Sequence, residues 1–323
     1  MILYIDKKNL ESFFEKRQED EMVFWECLSF MKHELYLNFN FKKEELDGFD
    51  ADTSRFVSRY LIGGDSQDNE GGYDFCECSD NVLVNKRKYK EVHNLRKKDL
   101  MASYLLKDES LCNSLKQINK LIVGHIGEEL AVLKCLKEIG KGMSDKITDI
   151  KSWDKHCPNT PVTDIIICDN YYFKDKSEYD AGGNDLLLQI IKSSKTQKVN
   201  VVILALADKI DAKIQIKEEA ETIKQRILKN NFCKEAYVTI ISTRKAHARR
   251  ILTNYYRFDC DSGFNLEEYG TKEDNLFRVV SNAKKEDYGM SVKLISTYQD
   301  FIGSPVACEG EKKSNFLNFK NVK

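Results

Sequence analysis

Hydrophobic and polar positions follow two different periods along this chain. In the first half, apolar residues recur three and four positions apart. Residues 7–18 place Leu10, Phe13 and Phe14 on one helical face, and residues 21–39 carry Phe24, Leu28, Phe30, Met31 and Leu35 in a similar stripe. Residues 100–106, 110–122 and 124–139 continue this pattern, the last with Leu130, Val132, Leu133 and Leu136 inside and Gly140 placed as a left-handed cap. Ahead of them, residues 1–6 form a short apolar strand ending on Asp6. The pattern predicts a mostly helical N-terminal domain over residues 1–150.

The second half reads differently. Residues 164–169 and 199–207 are continuous apolar runs of strand length, and residues 236–242, 249–258 and 276–280 add further strands. Residues 184–192 and 216–229 are helical and lie between the first three strands, while residues 290–303 form a closing helix. Strand–helix–strand–helix–strand order predicts an α/β layer with a mixed sheet over residues 160–305. The chain as a whole is then α/β, or α+β in overall arrangement. The boundary is placed in residues 141–161, which hold Pro158 and Pro161, and residues 306–323 are expected to be a mobile basic tail.

Charge changes the picture only locally. Of 323 residues 32% are charged, yet the signs nearly cancel to a net charge of -1, which excludes a uniformly basic binder but not a basic face. Basic residues concentrate at 85–90, at 96–98 and around residue 247. The 10 cysteines are scattered, as free thiols of a reducing compartment are. Residues 1–6 have no basic segment ahead of an apolar core, and the run 199–207 falls far short of the ~20 residues of a membrane span. A cytoplasmic chain without a transmembrane segment is expected.

Several candidate sites are weak on chemical grounds. The loop over residues 63–72 has two glycine pairs but no Lys-Ser/Thr after them, so it is not a Walker-type phosphate loop. Cys76, Cys78 and His93 offer three ligands without a Cys-x2-Cys pair, and His156-Cys157 is isolated, so neither a metal nor a cofactor is expected. Asp6 sits where a strand-end carboxylate would serve a nuclease-like fold, but one carboxylate is not a site.

The strongest signal follows the strand at residues 236–242. It comprises Arg244, Lys245, His247, Arg249, Arg250 and Asn254, in the pattern His-x-Arg-x4-Asn. Arg249 is suited to fork onto phosphate, with Arg244, Lys245 and Arg250 supplying field and Asn254 completing the phosphate-binding set. Tyr255 and Tyr256 follow as stacking candidates. Strand alternation would put His247, Arg249 and Ile251 on one face.

This segment resembles the phospholipase D-like superfamily, whose phosphodiesterases carry His-x-Lys-x4-Asp. It is most similar to the non-catalytic branch that forms the C-terminal domain of MIT-domain proteins. The resemblance extends to a strand ending Asp169-Asn170-Tyr171, to Asn184 at the next helix start, and to Asp261, Gly263 and Phe264 after the tyrosine pair. It implies a degenerate phosphate site, with His247 catalytic only if activity survives, and a symmetric homodimer if two motifs must meet. The expected function is non-catalytic binding of a phosphate-bearing polymer, nucleic acid above all, or an adaptor role in a prokaryotic antiviral defence or mobile-element system. The alternatives are a dimeric, metal-independent phosphodiesterase or nuclease, and a module docking on a partner protein or membrane.

Overall fold

The computed structural model describes residues 1–41, 45, 48–61, 73–75, 101–118, 122–146, 150–175, 183–245, 249–261, 264 and 276–319. The loop at 63–72, the basic runs at 85–90 and 96–98, Cys76, Cys78, His93 and His247 lie outside these residues. The chain is α/β and divides into two compact units, one comprising Met1–Lys141 with Ala283–Tyr288, the other Gly142–Asn282 with Gly289–Lys323.

The first unit is built on a parallel sheet of five strands in the order β3-β2-β1-β4-β5. These are β1 (Ile2–Ile5), β2 (Tyr36–Phe39), β3 (Tyr73–Phe75), β4 (Ala102–Leu105) and β5 (Val123–Gly124). Among the described residues five α-helices accompany them: α1 (Lys7–Glu15), α2 (Glu21–Glu34), α3 (Ala51–Leu61), α4 (Glu109–Ile118) and α5 (Glu129–Ile139). Carboxylates start three of the helices. Asp20 accepts from the Val23 N–H at 3.2 Å, Asp50 from Thr53 at 3.0 Å and Asp108 from Leu111 at 2.9 Å, each filling a helix-start donor that has no partner within its helix.

The expectation of a mostly helical first half is therefore corrected. Strands β2 and β4 occupy residues read as helix. Each is only four residues long and almost wholly buried, so neither leaves the alternation that would separate it from a helical run. Gly140 is corrected as well. Its φ is -62°, while Gly142, two positions on, has a positive φ of 58°. A Cβ there would lie 2.7 Å from the Val279 carbonyl oxygen, so position and backbone both favour glycine.

The second unit holds an eight-stranded mixed sheet in the order β13-β9-β8-β7-β10-β11-β12-β6. Strands β7 (Asp164–Asp169), β8 (Lys198–Leu206) and β9 (Glu235–Thr243) run parallel, linked through α6 (Gly183–Ser194) and α7 (Ile216–Lys229). Their continuous apolar runs are buried along nearly their whole length, as expected for a sheet covered on both faces. The chain then adds β10 (Arg249–Leu252) antiparallel on the free side of β7, followed by β11 (Tyr256–Cys260), β12 (Leu276–Ser281) and the helix α8 (Lys285–Ile302).

The units change at Lys141 and Gly142, at the start of the boundary segment 141–161. Beyond that point the segment packs within the second unit: β6 (Met143–Lys146) pairs with β12, and Trp153 is fully buried, its ring 4.9 Å from that of Phe277. The C-terminal segment is packed through residue 319: β13 (Ala307–Gly310) pairs with β9, and Phe316 and Leu317 are buried. Just before them, the Asn315 N–H and side chain donate to the buried Asp164 carboxylate at 2.7 and 2.9 Å. Among the described residues, no helix is long and apolar enough to cross a membrane.

Candidate functional site

The second sheet changes winding direction at β7. The chain proceeds from β7 through β8 to β9 on one side and returns on the other side as β10. In open α/β sheets, ligands collect beyond the carboxyl ends of the strands at such a switch point. Asp169 ends β7 there, and the register sets Arg249, which opens β10, directly opposite it.

Arg249 is half-buried and held from two sides. Its Nη1 donates to the Asp261 carbonyl at 2.7 Å, and its guanidinium lies 5.0 Å from the centre of the Tyr171 ring. Tyr171 is 40% exposed. Burial pushes the Asp169 carboxyl up to about 6, against the opposing pull of the Tyr171 N–H, which donates to it at 2.9 Å, and of Arg249. The Asn170 side-chain oxygen is buried beside these groups without a hydrogen-bond partner. Behind them, the Tyr172 hydroxyl donates to Asn184 at 2.8 Å. The structure thus brings Asp169, Tyr171, Arg249 and Asp261 together.

Other cations lie along the same edge. Arg244 and Lys245 follow β9 and are exposed, and Lys209, with Asp208 beside it, follows β8. Strand order places β9 three strand spacings from β10, a span of ~14 Å at the usual separation.

Four further residues of the predicted set do not join this edge. Asn254 lies five positions after Arg249, past the far end of β10 and roughly 15 Å away at strand rise. It is fully buried, with its oxygen accepting from the Thr163 N–H at 2.8 Å and its amide donating to the Thr163 hydroxyl at 3.0 Å. It fastens the β10–β11 turn to the start of β7 and is not placed to bind phosphate. Tyr255 in the same turn and Tyr256 at the start of β11 are buried, so neither presents a ring for stacking; Tyr171 does. Arg250 points to the opposite face from Arg249, where it pairs with Asp259 at 3.0 Å. The spacing had paired residues that a four-residue strand separates. The motif ending in Tyr171 was the available sign of the correct ring.

The first sheet has its own switch point, between β1 and β4. Asp6 follows β1 there and is buried, accepting from the Asn40 side-chain amide and from the Lys107 N–H at 2.8 Å. Burial raises its carboxyl above the ordinary value, with both hydrogen bonds opposing. Nearby, Glu129 at the start of α5 is fully buried and accepts from Asn9 at 3.0 Å, from Ser12 at 3.3 Å and from the Gly127 N–H at 3.0 Å. Sequence reasoning missed this cluster apart from Asp6, because its members are spread over more than a hundred positions. Among the described residues, no group of three or more His, Cys, Asp or Glu side chains is arranged to hold a metal ion. No protein-family model matches the chain, and no curated protein matches it either.

Proposed function

We propose that the edge formed by the ends of β9, β8 and β7 and the start of β10 binds a phosphate-bearing polymer, nucleic acid, without cleaving it. One observation carries this reading. Arg244 and Lys245 at one end of the edge and Arg249 at the other are separated by ~14 Å, so one phosphate cannot bridge them while a chain of phosphates can. Tyr171 offers a ring beside Arg249, which suits a base of a single strand. The absence of cleavage follows from Asn254, which stands where the resembling phosphodiesterases have a carboxylate and is turned into the core.

The test is an anisotropy titration of labelled single- and double-stranded RNA and DNA at low and at physiological salt. Binding that weakens with salt, falls by about tenfold in Arg249→Ala and leaves the strand intact is expected. Absence of binding to all four probes at low salt overturns the proposal. Cleavage without divalent metal, lost in His247→Ala, would replace it with the phosphodiesterase reading.

A further inference from the structure

The first unit carries a cavity of about 450 Å³ among α1, α2 and α3, within the size range of small-molecule sites. Its apolar wall is aromatic. Phe14 lies 5.7 Å from Phe24 and 5.4 Å from Phe56, ring centre to ring centre, and all three line the space. Beside them Trp25 is 45% exposed, unusual for so large an apolar side chain on a helix that also buries Phe24, Cys27, Phe30 and Met31. The indole is held in place: its N–H donates to Glu21 at 3.3 Å, and the Arg17 guanidinium lies 5.0 Å from the ring centre.

The polar side of the cavity is basic. Arg17, Lys32 and Arg55 line it, and Asp52 is the one carboxylate among the lining residues. Asp52 is shared, 3.1 Å from Arg17 and 3.7 Å from Arg55. Three cations facing one carboxylate leave positive charge over an aromatic wall. All of these polar groups are at least partly exposed and can turn toward an incoming anion.

We infer that this cavity binds a small aromatic anion of nucleotide size, its planar ring against Phe14 and Trp25 and its phosphate between Arg17 and Arg55. Aromatic walls recognise any ring face, and arginine forks match phosphate oxygens. The site belongs to the first unit and does not depend on the nucleic-acid edge of the second.

The full chain is titrated with AMP, with adenosine and inorganic phosphate as separate arms, following tryptophan fluorescence and, independently, equilibrium dialysis. The only other tryptophan, Trp153, is fully buried, so a ligand-dependent change reports Trp25. AMP should bind saturably and at least about tenfold more tightly than either fragment. Arg55→Ala and Arg17→Ala should each weaken AMP by roughly tenfold, and the exposed Lys234→Ala in the second unit should leave it unchanged. Arg55 is well exposed, so its variant tests the site without endangering the fold. Equal binding of AMP and adenosine, or insensitivity to both arginine variants, overturns the inference. A Trp25 response to anionic phosphatidylserine vesicles with none to AMP would also overturn it, reassigning the patch to a membrane surface.

Discussion

Asp6 and Asp169 hold equivalent places in the two units. Each stands at the carboxyl end of the parallel strand where its sheet changes winding direction, and burial raises the carboxyl in each. Their surroundings differ. Asp6 has both oxygens engaged by donors of its own sheet, the Asn40 amide and the Lys107 N–H. Asp169 accepts from the Tyr171 N–H and otherwise faces the half-buried Arg249 across the strand pair. A carboxylate held by fixed internal donors fastens strand ends together. One opposite a partly exposed arginine sets the charge that a ligand meets. The same position in a related topology thus serves cohesion in one unit and, on the proposed reading, recognition in the other.

The sharpest way to break this comparison is to remove Asp6. Asp6→Ala leaves the Asn40 amide and the Lys107 N–H without their acceptor, at about 1–3 kcal/mol for each buried group, so a loss of about 4 kcal/mol is expected. Urea unfolding followed by fluorescence and circular dichroism measures it in the transition that includes the first unit. A loss below about 1 kcal/mol would show that Asp6 is not a fastener.

At Asp169 the charge itself is what a substitution should report. Its folded-state value of about 6 lies above the ordinary 3.8, so the native state binds the extra proton between them. Its contribution to stability is therefore complete below about pH 4 and is lost as pH rises through 6, a change of roughly 3 kcal/mol. Asp169→Asn can keep the acceptor for Tyr171 and cannot ionise. The stability of the variant relative to the native chain should rise by that amount between pH 4 and pH 8, read from urea midpoints at several pH values. A pH-independent difference would show that folding does not raise the Asp169 carboxyl.

The same substitution sharpens the functional half of the comparison. With no negative charge opposite it, Arg249 should hold phosphate more firmly. Asp169→Asn is expected to tighten nucleic-acid binding a few-fold at pH 8 and to match the native chain at pH 5, where Asp169 is already mostly protonated. Tightening of equal size at both pH values would mean that the substitution acts through packing instead of charge.

How much of this could be read from the sequence depended on element length. Strands β7, β8 and β9 are six to nine residues of almost unbroken apolar sequence, and their positions were legible within about one residue. The first sheet was not, because β2 and β4 are four residues long and merge with neighbouring helical stripes. At the candidate site, Arg244, Lys245 and Arg249 were legible as a local cluster of charge. Asn254, Tyr255 and Tyr256 were misplaced because spacing alone does not say where a strand ends. Arg249 and Asn254 share a motif but stand at opposite ends of β10, and only the hairpin turn reveals it. The pairing of Arg249 with Asp169, eighty positions earlier, is set by strand order.

The smallest predicted effect tests whether binding belongs to one edge of the second sheet. Lys245 follows β9 and Lys234 precedes it, so two exposed lysines mark opposite ends of one nine-residue strand. If the polymer lies along the Arg244–Arg249 edge, Lys245→Ala removes one phosphate contact. Affinity should then fall a few-fold at low salt, and the slope of log K against log salt should lose roughly 0.7–0.9. Lys234→Ala, identical in charge and about 30 Å along the strand, should leave both unchanged. Equal changes from the two lysines would show attraction to the charge of the whole unit, and the ~14 Å separation of cations at the proposed edge would lose its meaning.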